Sequence, residues 1–454
     1  MEKLLLSDIA AAIGCEYNGD DEATSFICSD SRAVTPGCIF VALSGESFDG
    51  HDYVGAALEQ GAVMAVVMRE HEKWQPEKLF RVKDTRQAML DIAGLYRHQM
   101  KIPVVAVTGS VGKTTTKEMI ACVTSAGFKT LKTEANLNNE IGLSQTIYGI
   151  TSGHEAAVLE MGMDGPGQIA PLSRAAAPNV GVLTNIGVSH LEALGSRENI
   201  LREKLDITAG MPDDATLIIN ADDDLLATVE LPHLRLMSYG INNPAAMVRA
   251  EALSCFSTHT AFRIRYNGMR YDASIPAMGE HNVYNALAAF CVGCALGIEP
   301  HRALAALRDY KPTGMRQRVV THCGYTVVED CYNASPDSMK AALKTLGSLN
   351  AAGKRIAILS DMLELGKLED EAHREVGRAS AECKIDLLYC TGKLSRLICE
   401  GAKAAGLQNA FWFKDKPTLF AALKKELCEE DICWVKASRG MHLEEVLEMI
   451  YKSN

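Results

Sequence analysis

The stretch Val104–Glu118, "VVAVTGSVGKTTTKE", constrains the fold of this chain more than any other. An apolar β-branched segment leads through two glycines, Gly109 and Gly112, into Lys113, Thr114 and then helix-forming residues. A strand that feeds a glycine turn and a helix directs backbone N–H groups and the positive helix end at an anion. The stretch therefore predicts a nucleotide-binding loop, with a glycine turn in an ordinary βα unit as the alternative.

The loop departs from the full phosphate-loop pattern, G-x-x-x-x-G-K-[ST]. Position 107 is Val107, and the first glycine is Gly109, so the loop is a tightened variant. Lys113 can still reach the terminal phosphates and the hydroxyl of Thr114 can ligate Mg²⁺. Nucleotide binding by itself leaves motor, switch, kinase and ligase functions open.

Length and charge narrow the class of protein. With 454 residues, and about 150 residues per domain as the usual prior, we expect roughly three domains. The net charge of −11 gives no basic footprint for nucleic acid or a membrane surface, so we expect small-molecule substrates. We expect no nucleic-acid partner, no membrane insertion and a monomer.

Cysteine usage indicates the compartment. The 14 cysteines are scattered without a disulfide framework, and the N-terminus "MEKLLLSDIAAAIG" has no signal-peptide pattern, which predicts a reduced cytoplasm. The pair Cys291 and Cys294 lies in an Ala-rich helical run, and we interpret it as core packing rather than zinc binding. No stretch is long enough to span a membrane.

Strand-like and helical runs alternate along the chain, which favours an α/β fold with parallel sheets. The runs "AAVLEMG", "VGVLTNIG" and "TLIINADD" follow the phosphate loop, a hairpin is predicted around Asn267-Gly268, and a helix is predicted from Tyr284 to Gly297. A second series, "YTVVEDCY", "KRIAILSDM", "DLLYCTG" and "DICWVKASRG", follows. We predict domains at 1–84, 85–312 and 313–454.

Polar residues after two central strands mark a candidate metal site. Glu160 follows one strand, and Asn185 and His190 follow another. Neighbouring strands could thus present a carboxylate and an imidazole beside the phosphates, where metal ions bridge phosphate oxygens. A helix cap for the acid and a structural role for the histidine are the alternatives.

Eight motifs together resemble the Mur ligases of bacterial cell-wall synthesis, in order over nearly the whole chain. They are "TGSVGKTTTKE", "TEANLNNEIGLS", "LEMGMDGPGQI", "TNIGVSHLEALGSRENILREK", "GEHNVYNALAA", "EDCYNASPDSM", "SDMLELG" and "VKASRGMHLEEV". The resemblance implies a small N-terminal α/β UDP-binding domain, a central phosphate-loop ATPase domain with a parallel sheet, and a C-terminal Rossmann-like ligase domain.

The resemblance also implies a reaction, ATP-driven amide formation. The free carboxylate of UDP-N-acetylmuramoyl-tripeptide is phosphorylated, and the amine of D-alanyl-D-alanine attacks the acyl phosphate. Within the family, the motifs are most similar to the ligases that add this dipeptide. The residues that the resemblance assigns to ATP are Gly109, Ser110, Val111, Gly112, Lys113, Thr114, Thr115, Asn282, Asn285, Arg316 and Asp330.

Metal ligands are implied in the same way. Thr114 and Glu160 would hold one Mg²⁺, and His190 and Lys204 would serve a second, with Lys204 carbamylated so that it offers oxygens instead of an ammonium. Together with Lys113, the residues Lys204, His190 and Glu160 form the expected catalytic set. Spacing alone predicts instead that Lys204 is an exposed lysine paired with Glu203 or Glu198.

The remaining expected contacts are with the UDP-linked substrate and the dipeptide. The residues implied for the UDP-substrate are Ser31, Arg32, Gly45, Asp49, Gly50, His51, Asn136, Asn138, Asn139 and Glu140. Those implied near the reacting ends, where domain closure would exclude water, are Tyr332, Asn333 and Ser335. The alternative for "NASP" is a turn with a proline start.

Three other functions compete with this hypothesis. A folylpolyglutamate synthetase is disfavoured by "DSRAVTPGCIFVALSGESFDGHDY", because that enzyme lacks such a uridine domain. The ligase that adds the third residue is disfavoured by "EDCYNASPDSM" in place of an aspartate-tyrosine-alanine-histidine run. A nucleotide-switched binding protein would hydrolyse ATP slowly and indifferently to amines and carboxylates.

Overall fold

The structure is a computed structural model that describes residues 1–45 and 47–453. The first part of the chain forms a small parallel sheet of order β3-β4-β5-β6 and a short antiparallel pair, β1 and β2. Its elements are β1 (Leu4–Leu5), α1 (Leu6–Ala12), β2 (Ala23–Thr24), β3 (Ile27–Cys28), β4 (Ile39–Val41), α2 (Val54–Glu59), β5 (Met64–Val67) and β6 (Leu79–Arg81).

The central part contains a nine-stranded sheet of order β15-β14-β13-β12-β11-β10-β7-β9-β8. Its strands are β7 (Val104–Thr108), β8 (Thr130–Lys132), β9 (Ala156–Glu160), β10 (Val180–Leu183), β11 (Thr216–Asn220), β12 (Arg235–Gly240), β13 (Val248–Cys255), β14 (Thr260–Tyr266) and β15 (Met269–Ile275). Its helices are α3 (Thr85–Gln99), α4 (Lys113–Ser125), α5 (Glu140–Tyr148), α6 (Ile169–Ala176), α7 (Leu191–Leu194), α8 (Arg197–Leu205), α9 (Glu280–Ala295) and α10 (Pro300–Arg308).

The central sheet is parallel from β8 to β13, and the last two strands run antiparallel. After β7 the chain builds β8 and β9 on one side and then crosses to β10 on the other side. Ligands of open α/β sheets bind at such a switch point, outside the carboxyl ends of the strands. The phosphate-loop stretch follows β7 at this point.

The third part of the chain forms a six-stranded sheet of order β16-β17-β21-β18-β19-β20, in which only β16 is antiparallel to its neighbour. Its strands are β16 (Arg318–His322), β17 (Tyr325–Asp330), β18 (Arg355–Leu359), β19 (Leu387–Thr391), β20 (Ala410–Phe413) and β21 (Ile432–Lys436). Its helices are α11 (Pro336–Ser348), α12 (Glu369–Glu382), α13 (Ser395–Ala404), α14 (Lys416–Glu426) and α15 (Glu444–Lys452).

Apolar residues cover both faces of each large sheet. One core joins the first part of the chain to α3 and to one face of the central sheet, and a second core joins α4 and α9 to the other face. Two further cores lie on the two faces of the third sheet. Parallel strands that are covered on both faces have near-continuously apolar sequences, and the strands of these sheets follow that pattern.

The α/β architecture with parallel-sheet domains is confirmed, and so is the hairpin at Asn267-Gly268, which forms the edge of the central sheet. Cys291 is buried in α9, as expected for core packing. That helix begins at Glu280, four residues before the predicted start, because Gly279 takes the N-cap position. No helix in the described ranges is long and apolar enough to cross a membrane. The exact domain limits stay predictions.

Candidate active site

The phosphate-loop stretch forms the turn that its glycines predict. Gly112 precedes α4 with φ of 84°, a conformation that costs little only for glycine, and a side chain at Gly109 would overlap Thr184. Asn185 fastens the loop, because its backbone oxygen accepts from Ser110 N at 3.0 Å and its amide exchanges two bonds with Val111. The loop is therefore held in shape by the strand-end asparagine of β10.

Lys113 begins α4 and lies over this loop. Its Nζ donates to the backbone oxygens of Gly109 at 2.8 Å and Ser110 at 3.3 Å. Burial lowers the pKa of Lys113 and Arg316 acts in the same direction, while Glu160 opposes them. A cation held at the loop by bonds to neutral carbonyls is available to a phosphate.

Glu160 is the last residue of β9 and is 2% exposed. Its Oε1 accepts from Thr114 Oγ1 at 3.1 Å and from Asn138 Nδ2 at 2.9 Å. Its Oε2 is buried and, among the described residues, has no hydrogen-bond partner. A buried carboxylate oxygen without a partner is costly, and a hard cation would satisfy it.

The donor set around Glu160 fits Mg²⁺. The described residues contain no group of three or more His, Cys, Asp or Glu side chains arranged around a metal position. Magnesium does not need one, since proteins commonly hold it by one or two side chains together with substrate phosphates and water. Thr114 and Glu160 at the phosphate loop match that pattern.

His190 and Lys204 lie close enough to Lys113 for their charges to interact. Burial and the charges of Lys113 and Lys204 lower the pKa of His190 to about 4, so this imidazole is neutral at pH 7. Burial, and then the charge of Lys113, lower the pKa of Lys204 well below its usual value. The charge of Lys113 thus disfavours the protonated forms of both His190 and Lys204.

The expectation from spacing that Lys204 is exposed is wrong. Its side chain is 1% exposed, and Glu203, its expected partner, instead caps α6 by accepting from the backbone N–H groups of Gly167, Gln168 and Ile169. Lys204 lies one turn after the buried Ile200 on α8, so both point into the core.

A cavity of about 430 Å³ separates the phosphate loop from the third part of the chain. Asn282 and Asn285 of α9 line it, and neither caps that helix. Asn282 Nδ2 donates to Gln317 Oε1 at 2.7 Å, and Asn285 Nδ2 donates to Asn282 Oδ1 at 3.0 Å. Thr116 of α4 donates to Asn285 at 2.9 Å, so the loop helix and α9 are connected.

The third part of the chain contributes the opposite wall. Asp330 ends β17, and its Oδ2 accepts from Lys436 Nζ at 2.9 Å and from Trp434 Nε1 at 3.3 Å. The guanidinium of Arg316 lies 3.9 Å above the ring centre of Tyr332, which orients both side chains.

Two further residues of this wall have local structural roles. Ser335 caps α11 in a capping box followed by Pro336, so the turn interpretation of "NASP" is also correct. Asn333 offers its backbone oxygen to Lys436 at 3.1 Å. Both residues line the same cavity.

The residues expected at UDP form two short turns in the first part of the chain. Ser31 and Arg32 begin a 3₁₀ turn capped by Asp30, which also pairs with the exposed Arg32 guanidinium at 2.7 Å. Gly50 follows Asp49 in the second turn, and a side chain there would clash with the backbone of Leu43. Gly45 N donates to Phe48 O at 2.9 Å in the same region.

His51 is buried, and both of its ring nitrogens are engaged within the protein. Nε2 accepts from Met68 N at 2.9 Å, so Nδ1 carries the proton and donates to Asp49 Oδ1 at 2.6 Å. Ser44 also donates to Asp49 at 2.9 Å. His51 therefore holds the turn, and any contact with a ligand would have to come from its neighbours.

The four candidate substrate contacts in "TEANLNNEIG" lie in two different places. Asn136 and Asn138 line the cavity beside Glu160, whereas Asn139 caps α5. Glu140 pairs with Arg86 Nη1 at 2.5 Å, and Arg86 Nη2 donates to Ser44 O at 3.2 Å. Arg86 thereby bridges the first and central parts of the chain.

Sequence reasoning missed several residues of this site. Lys436, Gln317, Asp164 and Asp337 all line the cavity. Lys436 carried a signal, because it lies at the carboxyl end of a predicted strand in "DICWVKASRG". Gln317 and Arg86 carried none, since their partners are remote in sequence.

Three family descriptions match successive parts of the chain. "Mur ligase family, catalytic domain" matches residues 23–97, "Mur ligase middle domain" matches 107–293, and "Mur ligase, glutamate ligase domain" matches 315–439. The order along the chain agrees with the three sheets.

Full-length proteins are similar as well. The UDP-N-acetylmuramoyl-tripeptide--D-alanyl-D-alanine ligase of Bacillus subtilis is 39% identical over 94% of this chain and 93% of its own length. A crystal structure of MurF from Acinetobacter baumannii is 28% identical, with a TM-score of 0.91 over 100% of both chains. MurF ligase from Thermotoga maritima in complex with ADP is 28% identical, with a TM-score of 0.85 over 94% of this chain and 97% of that one. This chain belongs to the Mur ligase family.

Proposed function

We propose that this chain is an ATP-dependent ligase that joins D-alanyl-D-alanine to UDP-N-acetylmuramoyl-tripeptide in the synthesis of peptidoglycan precursors. The observation that carries the proposal is the cavity in which Lys113, Thr114 and Glu160 face Asp330, Tyr332 and Asn333. Similarity over nearly the whole chain to ligases of this name supports the choice of substrates. Use of ATP is supported by the similar ligase that binds ADP.

The reaction needs ATP because a carboxylate oxygen is a poor leaving group. A tripeptide carboxylate oxygen attacks the γ-phosphorus, the bond to ADP breaks, and an acyl phosphate forms. The dipeptide amine then attacks the acyl carbon, loses a proton and expels phosphate, which leaves an amide. The tripeptide carboxylate and the triphosphate of ATP are both anionic in the first step. Neutralising their charge therefore contributes most of the catalysis.

In this proposal the loop from Gly109 to Thr115 cradles the triphosphate and Lys113 approaches its terminal oxygens. Thr114 and Glu160 would hold Mg²⁺, which when bound draws off negative charge from the phosphate oxygens. The support for this metal position is the buried, unpartnered Oε2 of Glu160. Arg316 lies near enough to Lys113 to influence its pKa and would contact the same phosphates.

Adenine and ribose would occupy the cavity between α9 and β17. Asn282, with Asn285 behind it, offers an amide to the base, and Asp330 accepts from the ribose hydroxyls. Tyr332, Asn333 and Ser335 lie on the same wall and would approach the reacting ends. Closure of this wall over the loop excludes water, which protects the acyl phosphate from hydrolysis.

Lys204 would act as a carbamate. Its neutral amine adds to CO₂ and releases a proton, which converts a buried basic group into an anion with two oxygens. Such an anion beside His190 suits a second Mg²⁺. The support is the burial of Lys204 and its lowered pKa, which favours the uncharged, nucleophilic amine.

The UDP end of the substrate would lie on the first part of the chain, at the turns of Ser31, Arg32, Gly45, Asp49 and Gly50, with His51 behind them. Asn136 and Asn138 would meet the peptide end beside Glu160, with Asn139 and Glu140 fixing their loop. We also infer a cytoplasmic, monomeric enzyme. Size-exclusion chromatography with light scattering tests the monomer.

Phosphate release tests the function. The protein is incubated with ATP, the UDP-linked tripeptide and a panel of amino acids and dipeptides. We expect release only when the UDP-linked tripeptide and D-alanyl-D-alanine are both present. Slow release that is indifferent to both would support a nucleotide switch instead.

A further inference from the structure

Lys117 is a buried cation that the proposed chemistry does not use. It lies one turn after Thr114 in α4, and its side chain is 0% exposed. Its Nζ donates to the backbone oxygen of Thr133 at 2.6 Å and pairs with Glu118 Oε1 at 2.8 Å. An ammonium is costly to bury, so it is tolerated only where such partners compensate it.

Thr133, the residue that Lys117 holds, is itself buried and follows β8. Its backbone N–H donates to Val158 O at 2.9 Å, and its Oγ1 accepts from the backbone N–H of Glu160 at 3.0 Å. Thr133 is thus fixed by its backbone on both sides while its hydroxyl fixes the strand end that carries Glu160.

These bonds connect the two residues that would hold magnesium. Thr114 lies on α4 with Lys117, and Glu160 lies at the end of β9 next to Thr133. The path from Lys117 Nζ through Thr133 to Glu160 N ties the helix to the strand end with no flexible segment between them. Partners behind a ligand orient it, and their loss commonly weakens metal binding by about 10- to 100-fold.

We propose that Lys117 is a positioning residue for the magnesium site, acting through Thr133 to set Glu160 relative to Thr114. This inference rests on the proposed function, because the magnesium site belongs to it. It predicts a specific defect in magnesium-dependent nucleotide binding. A merely stabilising lysine would lower the melting temperature and leave the magnesium dependence unchanged.

The chain offers a matched control in Lys132. This lysine pairs with Glu118 Oε2, the other oxygen of the carboxylate that Lys117 contacts, and among the described residues its side chain makes no hydrogen bond to Thr133. Lys117→Met and Lys132→Met each remove one positive charge and one partner of Glu118. Only Lys117→Met releases the backbone oxygen of Thr133.

The test is calorimetric titration of the full-length protein with ADP, once with excess Mg²⁺ and once with EDTA. For Lys117→Met we expect wild-type affinity for ADP in EDTA. The gain, meaning the factor by which Mg²⁺ increases the affinity for ADP, should be smaller than in the wild type by about tenfold or more. Lys132→Met keeps the full gain, and Lys117→Arg restores part of it. Equal gains in Lys117→Met and Lys132→Met would overturn the proposal.

Thr133→Val gives a second, independent arm, because it keeps the shape of the side chain and removes only the acceptor for Glu160 N. We expect the same loss, and no further loss when it is combined with Lys117→Met, because both act on one path. A wild-type gain in Thr133→Val would overturn the proposal even if Lys117→Met did not fold, and additive losses in a folded double variant would overturn it as well. The proposed function is tested separately, by measuring phosphate release by the wild-type protein.

Discussion

The hydroxyl of Thr114 donates to the carboxylate of Glu160 at 3.1 Å, although 46 positions separate the two residues in the chain. One belongs to the helix after the phosphate loop and the other ends the neighbouring strand β9. Their contact puts a hydroxyl and a carboxylate beside the proposed phosphate loop.

Lys113→Ala should abolish ligation and leave binding of the UDP-linked tripeptide nearly intact. The ammonium lies on the phosphate loop, whereas the proposed uridine turns lie in another part of the chain. Loss of a contact that strengthens in the transition state costs about 3 kcal/mol or more, roughly a hundredfold in kcat. Phosphate release and calorimetric titration with the UDP-linked tripeptide measure the two effects. Normal turnover would refute the loop's role.

Asp330→Asn should raise the KM for ATP and leave binding of the UDP-linked tripeptide unchanged. Asparagine replaces a charged acceptor by a neutral one, which costs about 0.5–2 kcal/mol, or roughly a 2- to 30-fold rise in KM. Asparagine is preferable to alanine here, because Asp330 also pairs with the buried Lys436, and alanine would leave that ammonium unpaired. Unchanged ATP kinetics in a variant with a normal melting temperature would exclude the ribose role.

Lys204→Ala should be inactive and should recover part of its activity with formate or acetate. Small carboxylates can enter the space and supply the missing oxygens. Lys204→Arg should be inactive and not rescued, because a guanidinium fills the same space with positive charge. Steady-state rates of both variants are measured with and without added formate or acetate. Full activity of either variant would contradict the carbamate.

The free energy of unfolding should fall as the pH drops from 6.5 to 4. Burial lowers the pKa of His281 from 6.5 to about 4, so between these values the unfolded chain binds a proton that the folded chain excludes. The contribution of this group to the free energy of unfolding is therefore fully present above pH 6.5 and is lost toward pH 4, a change on the order of 3 kcal/mol. His281→Gln should reduce the slope of urea-denaturation midpoints against pH over this range and leave the part that His190 supplies. His301→Gln, at an exposed histidine, should not; equal slopes would refute the assignment.

Local patterns predicted the parts of the fold and site that depend on neighbours in sequence. The phosphate loop was recognisable because strand, glycines, lysine and helix are contiguous, and the hairpin because Asn267-Gly268 favours one turn type. A strand-end position located Glu160, whereas Asp330 was located by the resemblance to the Mur ligases. These features depend on periodicity and turn chemistry, which a single sequence contains.

Features set by tertiary packing were not predictable in the same way. Lys204 has the spacing of an exposed lysine, and the tertiary packing of α8 buries it; its position four residues after Ile200 was the one available hint. The bonds from Asn282 to Gln317 and from Arg86 to Ser44 join residues 35 and 42 positions apart. No local pattern encodes such pairs.

Isotope transfer tests the central claim most directly. The protein is incubated with ATP, D-alanyl-D-alanine and UDP-linked tripeptide whose free carboxylate carries ¹⁸O in both oxygens, and the released phosphate is analysed by mass spectrometry. If the carboxylate is activated as an acyl phosphate, each phosphate carries one ¹⁸O and the new amide keeps the other. Amide formation with unlabelled phosphate, or phosphate release without amide, would contradict the account.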